Sequence, residues 1–277
     1  MAGLTVAQAL AAAKARGLDA LDAQILLARC LRQLRTWLIA HPEAQVGAPQ
    51  LAEFLAQVAR RSRREPLAYL LGEREFYGLN LHVRPGVLIP RPETEVLVDW
   101  GLEILGKQLA NVDCPQAIDL GTGSGAIGLA IKKACPRTQV IAGDASETAL
   151  EVARINAARL GLELEFRQGD WWAVAMNRSF HLALCNPPYI AAHDKHLSAL
   201  LYEPIEALAP GGDGLGALRA VIRGARIHLY PAGWLLVEHG FDQADAVRAL
   251  MRDNALAEVE TRRDFAGHER CTGGRAG

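Results

Sequence analysis

Through about Gly72 the apolar positions recur at helical spacing: Leu21, Ile25, Leu26 and Leu31 keep one face, and Leu51, Phe54, Leu55 and Val58 another. A small helical bundle is predicted. Val6 to Ala13 reads as an amphipathic helix, Asp19 and Asp22 as helix starters, and His41-Pro42 as a break. From Glu75 to Pro90 the pattern turns extended, with Phe76, Tyr77, Leu79, Leu81, Val83, Val87 and Ile89 interrupted at Gly78-Leu79-Asn80 and at Pro85-Gly86. This predicts a hairpin linker. Beyond Arg91-Pro92 helices alternate with short apolar strands. Helices are expected over 93–105, 126–134, 146–160, 215–228 and 243–252, and strands over 117–120, 140–142, 163–167, 181–185, 234–238 and near 259–261. Such alternation predicts an α/β fold with a parallel sheet covered on both faces, whose ligands bind at the carboxyl ends of the strands.

Composition narrows the function classes. Lys plus Arg number 30 against 31 Asp plus Glu, a net charge of −1, so no global cationic field gathers nucleic acid or an anionic membrane. Five widely spaced cysteines, Cys30, Cys114, Cys135, Cys185 and Cys271, form no C-x-x-C pair, which argues against a disulfide framework or structural zinc. The chain lacks a run of apolar residues long enough to span a membrane, and its start lacks the basic flank of a signal peptide. A reduced, cytoplasmic protein with no metal is expected. The histidines, His193, His196 and His239 among them, show no ligand spacing. Arg60, Arg61, Arg63 and Arg64 form the one dense basic cluster, read as a solvated helix end or a contact for an acidic protein face.

The first strand of the second half runs into Asp119-Leu120-Gly121-Thr122-Gly123-Ser124-Gly125 and then a helix. Glycines there let the backbone turn sharply and approach a ligand closely. The next strand ends at Gly143-Asp144, placing an acid where ribose hydroxyls could donate to it, and the third at Gly169-Asp170-Trp171, offering a polar group and a ring to a base. Asp144 and Asp170 could instead be helix-capping loop acids. The absence of Lys-Ser/Thr after the glycines disfavours a P-loop, while NAD stays open on the glycines alone.

The fourth strand ends in Asn186-Pro187-Pro188-Tyr189. Two prolines restrict the chain and leave carbonyls and the Asn186 side chain at the ligand position. A planar amide nitrogen is a poor nucleophile because its lone pair is delocalised. If the Asn186 oxygen and the Pro187 carbonyl accept its two N–H hydrogens, it is held toward an electrophile, and catalysis comes from orientation. Tyr189 is expected to stack on the planar group and exclude water. Glu238 is read as either structural or near a cofactor, and Cys185 as a small buried side chain.

The glycine motif with Asn186-Pro187-Pro188-Tyr189 resembles the seven-stranded, S-adenosylmethionine-dependent methyltransferases that modify planar nitrogens. Further stretches resemble the peptide-chain release factor glutamine methyltransferases of the PrmC/HemK family. These are Arg64 to Gly72, Glu75-Phe76-Tyr77-Gly78, Leu88 to Glu95, Tyr202-Glu203-Pro204, Gly212 to Leu215, Glu238-His239-Gly240 and Arg263 to Gly267. The resemblance spans about residues 20 to 273. It implies a Rossmann-like seven-stranded sheet, with 1–74 a helical substrate-docking domain, 75–91 a β-hairpin linker and 92–277 the S-adenosylmethionine-binding catalytic domain. It implies methylation of the side-chain amide of the Gly-Gly-Gln glutamine in class I release factors, with S-adenosyl-L-homocysteine as product. Gly121, Thr122, Gly123, Ser124 and Gly125 would wrap the methionine part of the cofactor and Asp144 its ribose. Asp170 and Trp171 would face the adenine, with Asn186 also at the cofactor, and Asn186, Pro187, Pro188 and Tyr189 would take the glutamine. A monomer acting on a release factor, without direct nucleic acid or membrane contact, is expected. A nucleic-acid amino methyltransferase, a ribosomal-protein glutamine methyltransferase and a noncatalytic translation partner are the rivals. Pro90-Arg91-Pro92 favours the release-factor branch over the ribosomal one. The sequence departs from the family at Leu201, where Arg is common, and in a short, less apolar end over 270–277, which leaves an edge strand in doubt.

Overall fold

The computed structural model describes residues 3–192, 194, 197, 200–209 and 211–277. Its contacts divide the chain into two compact units, Met1–Glu73 and Arg74–Gly277.

The first unit is helical: α1 (Val6–Ala15), α2 (Ala20–Leu31), α3 (Arg35–Ala40), α4 (Ala48–Ser62) and α5 (Leu67–Leu71). Local chemistry sets the ends. Thr5 and Gln8 form a reciprocal capping box on α1, and Asp19 caps α2 by accepting from the Leu21 N–H at 2.8 Å. Asp22 starts nothing; it pairs with Arg61 at 2.7 Å. Leu26, Leu27, Leu38, Phe54 and Val58 fill the core, as their spacing requires. Two members of the basic cluster are thus not simply solvated, because Arg60 also grips the buried Glu65 through two nitrogens.

After the helices, β1 (Glu73–Phe76), which begins at the last residue of the first unit, and β2 (Leu79–His82) form a two-stranded hairpin. β1 begins inside the stretch expected to be helical. The turn is Tyr77-Gly78, both left-handed at φ 50° and 71°, so Leu79 and Asn80 belong to the strand rather than to the break. Residues 83–91, expected to be extended, form a turn and irregular chain containing Pro85-Gly86.

The rest alternates as the pattern demands: α6 (Glu95–Lys107), β3 (Gln116–Leu120), α7 (Ala126–Ala134), β4 (Gln139–Asp144), α8 (Glu147–Leu160), β5 (Glu165–Gln168), β6 (Phe180–Cys185), α9 (Gly216–His228), β7 (Leu229–Glu238), α10 (Ala244–Asp253), β8 (Leu256–Arg263) and β9 (Glu269–Ala276). Seven strands lie in the order β5-β4-β3-β6-β7-β9-β8. The sheet is mixed rather than all parallel. A short turn joins β8 to β9, and a hairpin connection forces antiparallel pairing, so β9 runs against both β7 and β8. Alternate residues of the central strands go to opposite faces, as a period of two requires. Leu182 and Leu184 pack with Trp100, Ile104 and Leu129 on one side, and Ala183 and Cys185 with Leu218, Ile222 and Val247 on the other.

The chain end is not an edge strand. β9 lies between β7 and β8, and its small residues make room for a ring, since a Cβ on Gly273 would fall 2.5 Å from Trp100. Low hydrophobicity there reflects close packing, not a weak edge.

Candidate active site

The order of strands reverses between β3 and β6, one chain segment leading outward to β4 and β5 and the other to β7. At such a switch point a crevice opens at the carboxyl ends. Register makes the meeting close: Leu120 pairs with Cys185 and with Gly143, so the residues that follow, Gly121, Asn186 and Asp144, emerge side by side. A cavity of about 400 Å³ lies there, lined by Gly121 to Ser124, Asp144, Asp170, Trp171, Asn186 and Pro188.

The glycine loop is held from beneath. Asp119 is fully buried; its Oδ2 accepts from the Thr122 hydroxyl at 2.6 Å and the Gly128 N–H at 2.9 Å, while Oδ1 has no partner among the described residues. Burial pushes its pKa up to about 6, against the lowering effect of those two donors and with a smaller rise from Asp144. Between pH 4 and 6 the folded chain therefore holds a proton that the unfolded chain has released. Stability from this group falls as pH rises through that window and is level above it. Asp119→Asn, with its amide oxygen in the Oδ2 position, is expected to flatten that part of the profile. Urea unfolding of both proteins from pH 4 to 8 reads the difference; parallel profiles would refute it.

From above, Asn156 on α8 donates to the Ser124 carbonyl at 2.9 Å and to the His82 carbonyl at 3.0 Å, while its oxygen accepts from the His82 N–H at 2.6 Å. The loop is thereby tied to the hairpin. Sequence reading missed Asn156, although a buried polar side chain among Val152, Ala153 and Ala157 on one helix face is the signal that could have found it.

Asp144 accepts from the Gly123 N–H through Oδ2 and from the Ser146 N–H through Oδ1, both at 2.9 Å. It braces the loop, and Ser146 rather than Asp144 caps α8. Burial raises its pKa despite those bonds. Asp170 is exposed at the rim. Trp171 holds a left-handed backbone at φ 40°, and a Cβ on Gly121 would touch its ring at 3.6 Å, so the ring lies close against the bare backbone at the cavity wall.

Asn186 donates from Nδ2 to the Thr94 hydroxyl at 3.1 Å. Pro187 is buried, and neither it nor Tyr189 lines the cavity. The Tyr189 ring packs on the core, and its hydroxyl donates to Glu238 Oε1 at 3.0 Å. Glu238 is fully buried at the end of β7, with its pKa raised by burial and lowered in part by the neighbouring Thr94 and Tyr189 hydroxyls and by Arg270. Its Oε2 has no partner of ordinary geometry among the described residues. Arg270 also reaches the His239 carbonyl and the buried Asp264. Thr94 and Arg270 are thus site residues that spacing did not reveal.

Glu203 closes one side. Its carboxylate accepts from the Ile89 N–H at 3.0 Å and from Arg91 at 2.5 Å, joining the Tyr202-Glu203-Pro204 and Pro90-Arg91-Pro92 stretches at the cavity wall. Leu201 is 80% exposed and makes no such bond. Cys185 is fully buried, its thiol pKa pushed well up by burial, which makes it inert. His239 bonds the Gly240 carbonyl and Thr272; His193 and His196 lie outside the described residues. No cluster of metal-ligating side chains occurs among the described residues, and no described helix is long and apolar enough to cross a membrane.

The PrmC N-terminal domain family matches residues 4–72 and the methyltransferase small domain family residues 94–223. The release factor glutamine methyltransferase of Burkholderia pseudomallei is 46% identical over 271 residues, covering 95% of this chain and 94% of that protein. Two solved structures share the fold. The hMettl16 catalytic domain in complex with an RNA hairpin has a TM-score of 0.57 at 13% identity, covering 82% of this chain and 81% of that one. The T. Thermophilus 16S rRNA N2 G1207 methyltransferase, in complex with AdoMet and guanosine, has a TM-score of 0.53 at 16% identity, covering 74% and 50%.

Proposed function

The chain belongs to the release factor glutamine methyltransferases, and from that membership we propose how its residues carry S-adenosylmethionine-dependent methylation of a release-factor glutamine. The observation that carries the reading is the shared cavity: the glycine loop, Asp144 and Trp171 form one wall, and Asn186 with Pro188 the other. The wall chemistry suits the cofactor. Asp144 offers acceptors to ribose hydroxyls, the Trp171 ring faces a flat adenine with Asp170 at the rim, and bare backbone at Gly121 and Gly123 admits the methionine part.

When bound, S-adenosylmethionine supplies a methyl group on a positively charged sulfur. Asn186 Oδ1 accepts one N–H hydrogen of the substrate amide, the Pro187 carbonyl, joined by its peptide bond to the cavity-lining Pro188, accepts the other, and Pro188 limits the far side. Held so, the nitrogen presents its electron density in line with the methyl. The methyl would pass to that nitrogen with its bonding electron pair left on the sulfur, and one N–H proton of the amide held by Asn186 and Pro187 would leave to water. No general base is needed within the pocket, and orientation supplies the acceleration. The Tyr189 ring, packed on the core, is anchored through its hydroxyl to Glu238. The unit over residues 1–73, we propose, docks the release factor.

Incubation of the protein with radiolabelled cofactor and unmodified class I release factor is expected to place one methyl on the Gly-Gly-Gln glutamine, located by peptide mass spectrometry. Parallel DNA and RNA samples should stay unlabelled. Label in nucleic acid with none in the release factor would overturn the assignment.

A further inference from the structure

The tetrapeptide Asn186-Pro187-Pro188-Tyr189 is short of backbone donors with which to hold itself, since neither proline carries an N–H. Much of the task of fixing it falls to Tyr189. The proline rings lock φ at 187 and 188, leaving few free torsions between Tyr189 and the Pro187 carbonyl. We infer that Gln243, at the start of α10, is a positioning residue for methyl transfer: its side-chain amide grips the Tyr189 carbonyl and so holds the Pro187 carbonyl and Asn186 toward the substrate nitrogen. This rests on the reading of Asn186 and Pro187 as the substrate's acceptors.

The surroundings leave the Gln243 amide one orientation. Its Oε1 accepts from the Gly240 N–H at 2.8 Å, and its Nε2 donates to the Tyr189 carbonyl at 3.0 Å. Both partners are backbone groups, one able only to donate and the other only to accept, so the two ends of the amide cannot trade places. Gly240 stands just past the end of β7, where the neighbouring His239 N–H donates to the Arg270 carbonyl of β9 at 2.9 Å. The amide thereby ties the tetrapeptide to the sheet. Gly214 keeps room for the contact, since a Cβ there would collide with the Tyr189 oxygen and lie 3.0 Å from Gln243 Nε2. At the other side of the same peptide unit the Ile190 N–H donates to the Leu208 carbonyl at 3.0 Å, so the rigid Tyr189–Ile190 plane is held at both polar ends. The Tyr189 hydroxyl on Glu238 adds a third point of attachment.

The test compares Q243E, Q243M and N186A in the full chain, with an unmodified release factor as substrate. Ionised at about pH 8, a glutamate keeps the shape of glutamine and an acceptor for the Gly240 N–H, but sets a second acceptor against the Tyr189 carbonyl. Methionine gives up both bonds without that repulsion. Q243E is expected to lower kcat by about tenfold or more and Q243M by less, with the release-factor KM and the cofactor Kd within about threefold of wild type. Stability should run the other way: an acid at a helix start is favourable, so the unfolding midpoint of Q243E should match or exceed that of Q243M. A merely structural role in the turn would rank activity with stability, placing Q243E at or above Q243M in both, and that ranking overturns the inference. So does a loss of kcat in step with a raised cofactor Kd, which reports general loosening. An inactive N186A beside a Q243E of wild-type kcat overturns this inference alone, whereas a fully active N186A overturns the reading of the site and this inference with it. Should Q243E fail to fold, Q243M decides: wild-type kcat overturns the inference, and a lowered kcat at unchanged cofactor Kd upholds it.

Discussion

Asn186→Ala is expected to lower kcat for release-factor methylation by about 100- to 1,000-fold, the cost of losing one preorganised hydrogen-bonding group at a reacting centre. The fold should survive. Asn186 is only partly buried, its side chain bonds Thr94, and the β6 strand before it is held by neighbours on both sides. Cofactor binding should change little, because Asp144, Trp171 and the glycine loop remain. Single-turnover methyl transfer and equilibrium binding of labelled cofactor separate the two. A variant that binds cofactor normally and transfers methyl at the wild-type rate would remove the central element of the mechanism.

Gly125→Val carries the largest expected effect on both stability and cofactor affinity. Gly125 opens α7 in the left-handed region at φ 85°, which a β-branched residue resists by roughly 1–2 kcal/mol. Space is short as well, since a Cβ there would lie 2.9 Å from Leu129 and 3.2 Å from the Ala153 side chain, and overpacking of this kind costs about 1–3 kcal/mol. Together these give about 2–5 kcal/mol of destabilisation, or several degrees in the unfolding midpoint, at roughly 2–4 °C per kcal/mol for a unit of this size. Moving Gly125 also disturbs Ser124, whose carbonyl is the anchor for Asn156, and with it the cofactor loop. Thermal unfolding and cofactor titration should both report the change. Wild-type values in both would show that the loop tolerates a side chain where the geometry denies it.

The glycine loop, the acids closing successive strands and the Asn186 tetrapeptide were legible because each is contiguous and sits at a strand end. Thr94, Asn156 and Arg270 were not. They are single residues on other elements whose partners lie far along the chain, Thr94 at 92 positions from Asn186 and Asn156 at 32 from Ser124. Tyr189 shows the complementary limit. Its motif suggested a wall for the substrate, and only the structure revealed that its hydroxyl bonds the distant Glu238. The order of the last two strands was equally hidden, because hydrophobic alternation reports which face of a strand is buried and says nothing of its neighbour.

The chain's own pattern determined the helical first unit, the alternating second one and the chemistry gathered at strand ends, since local spacing and backbone-restricting residues act within a few positions. Tertiary structure alone decided that Leu120 and Cys185 stand opposite each other, that β9 slips between β7 and β8, and that Thr94 accepts from the Asn186 amide. Those outcomes depend on pairings between distant segments, and such pairings are selected by the packing of the whole sheet and its covering helices.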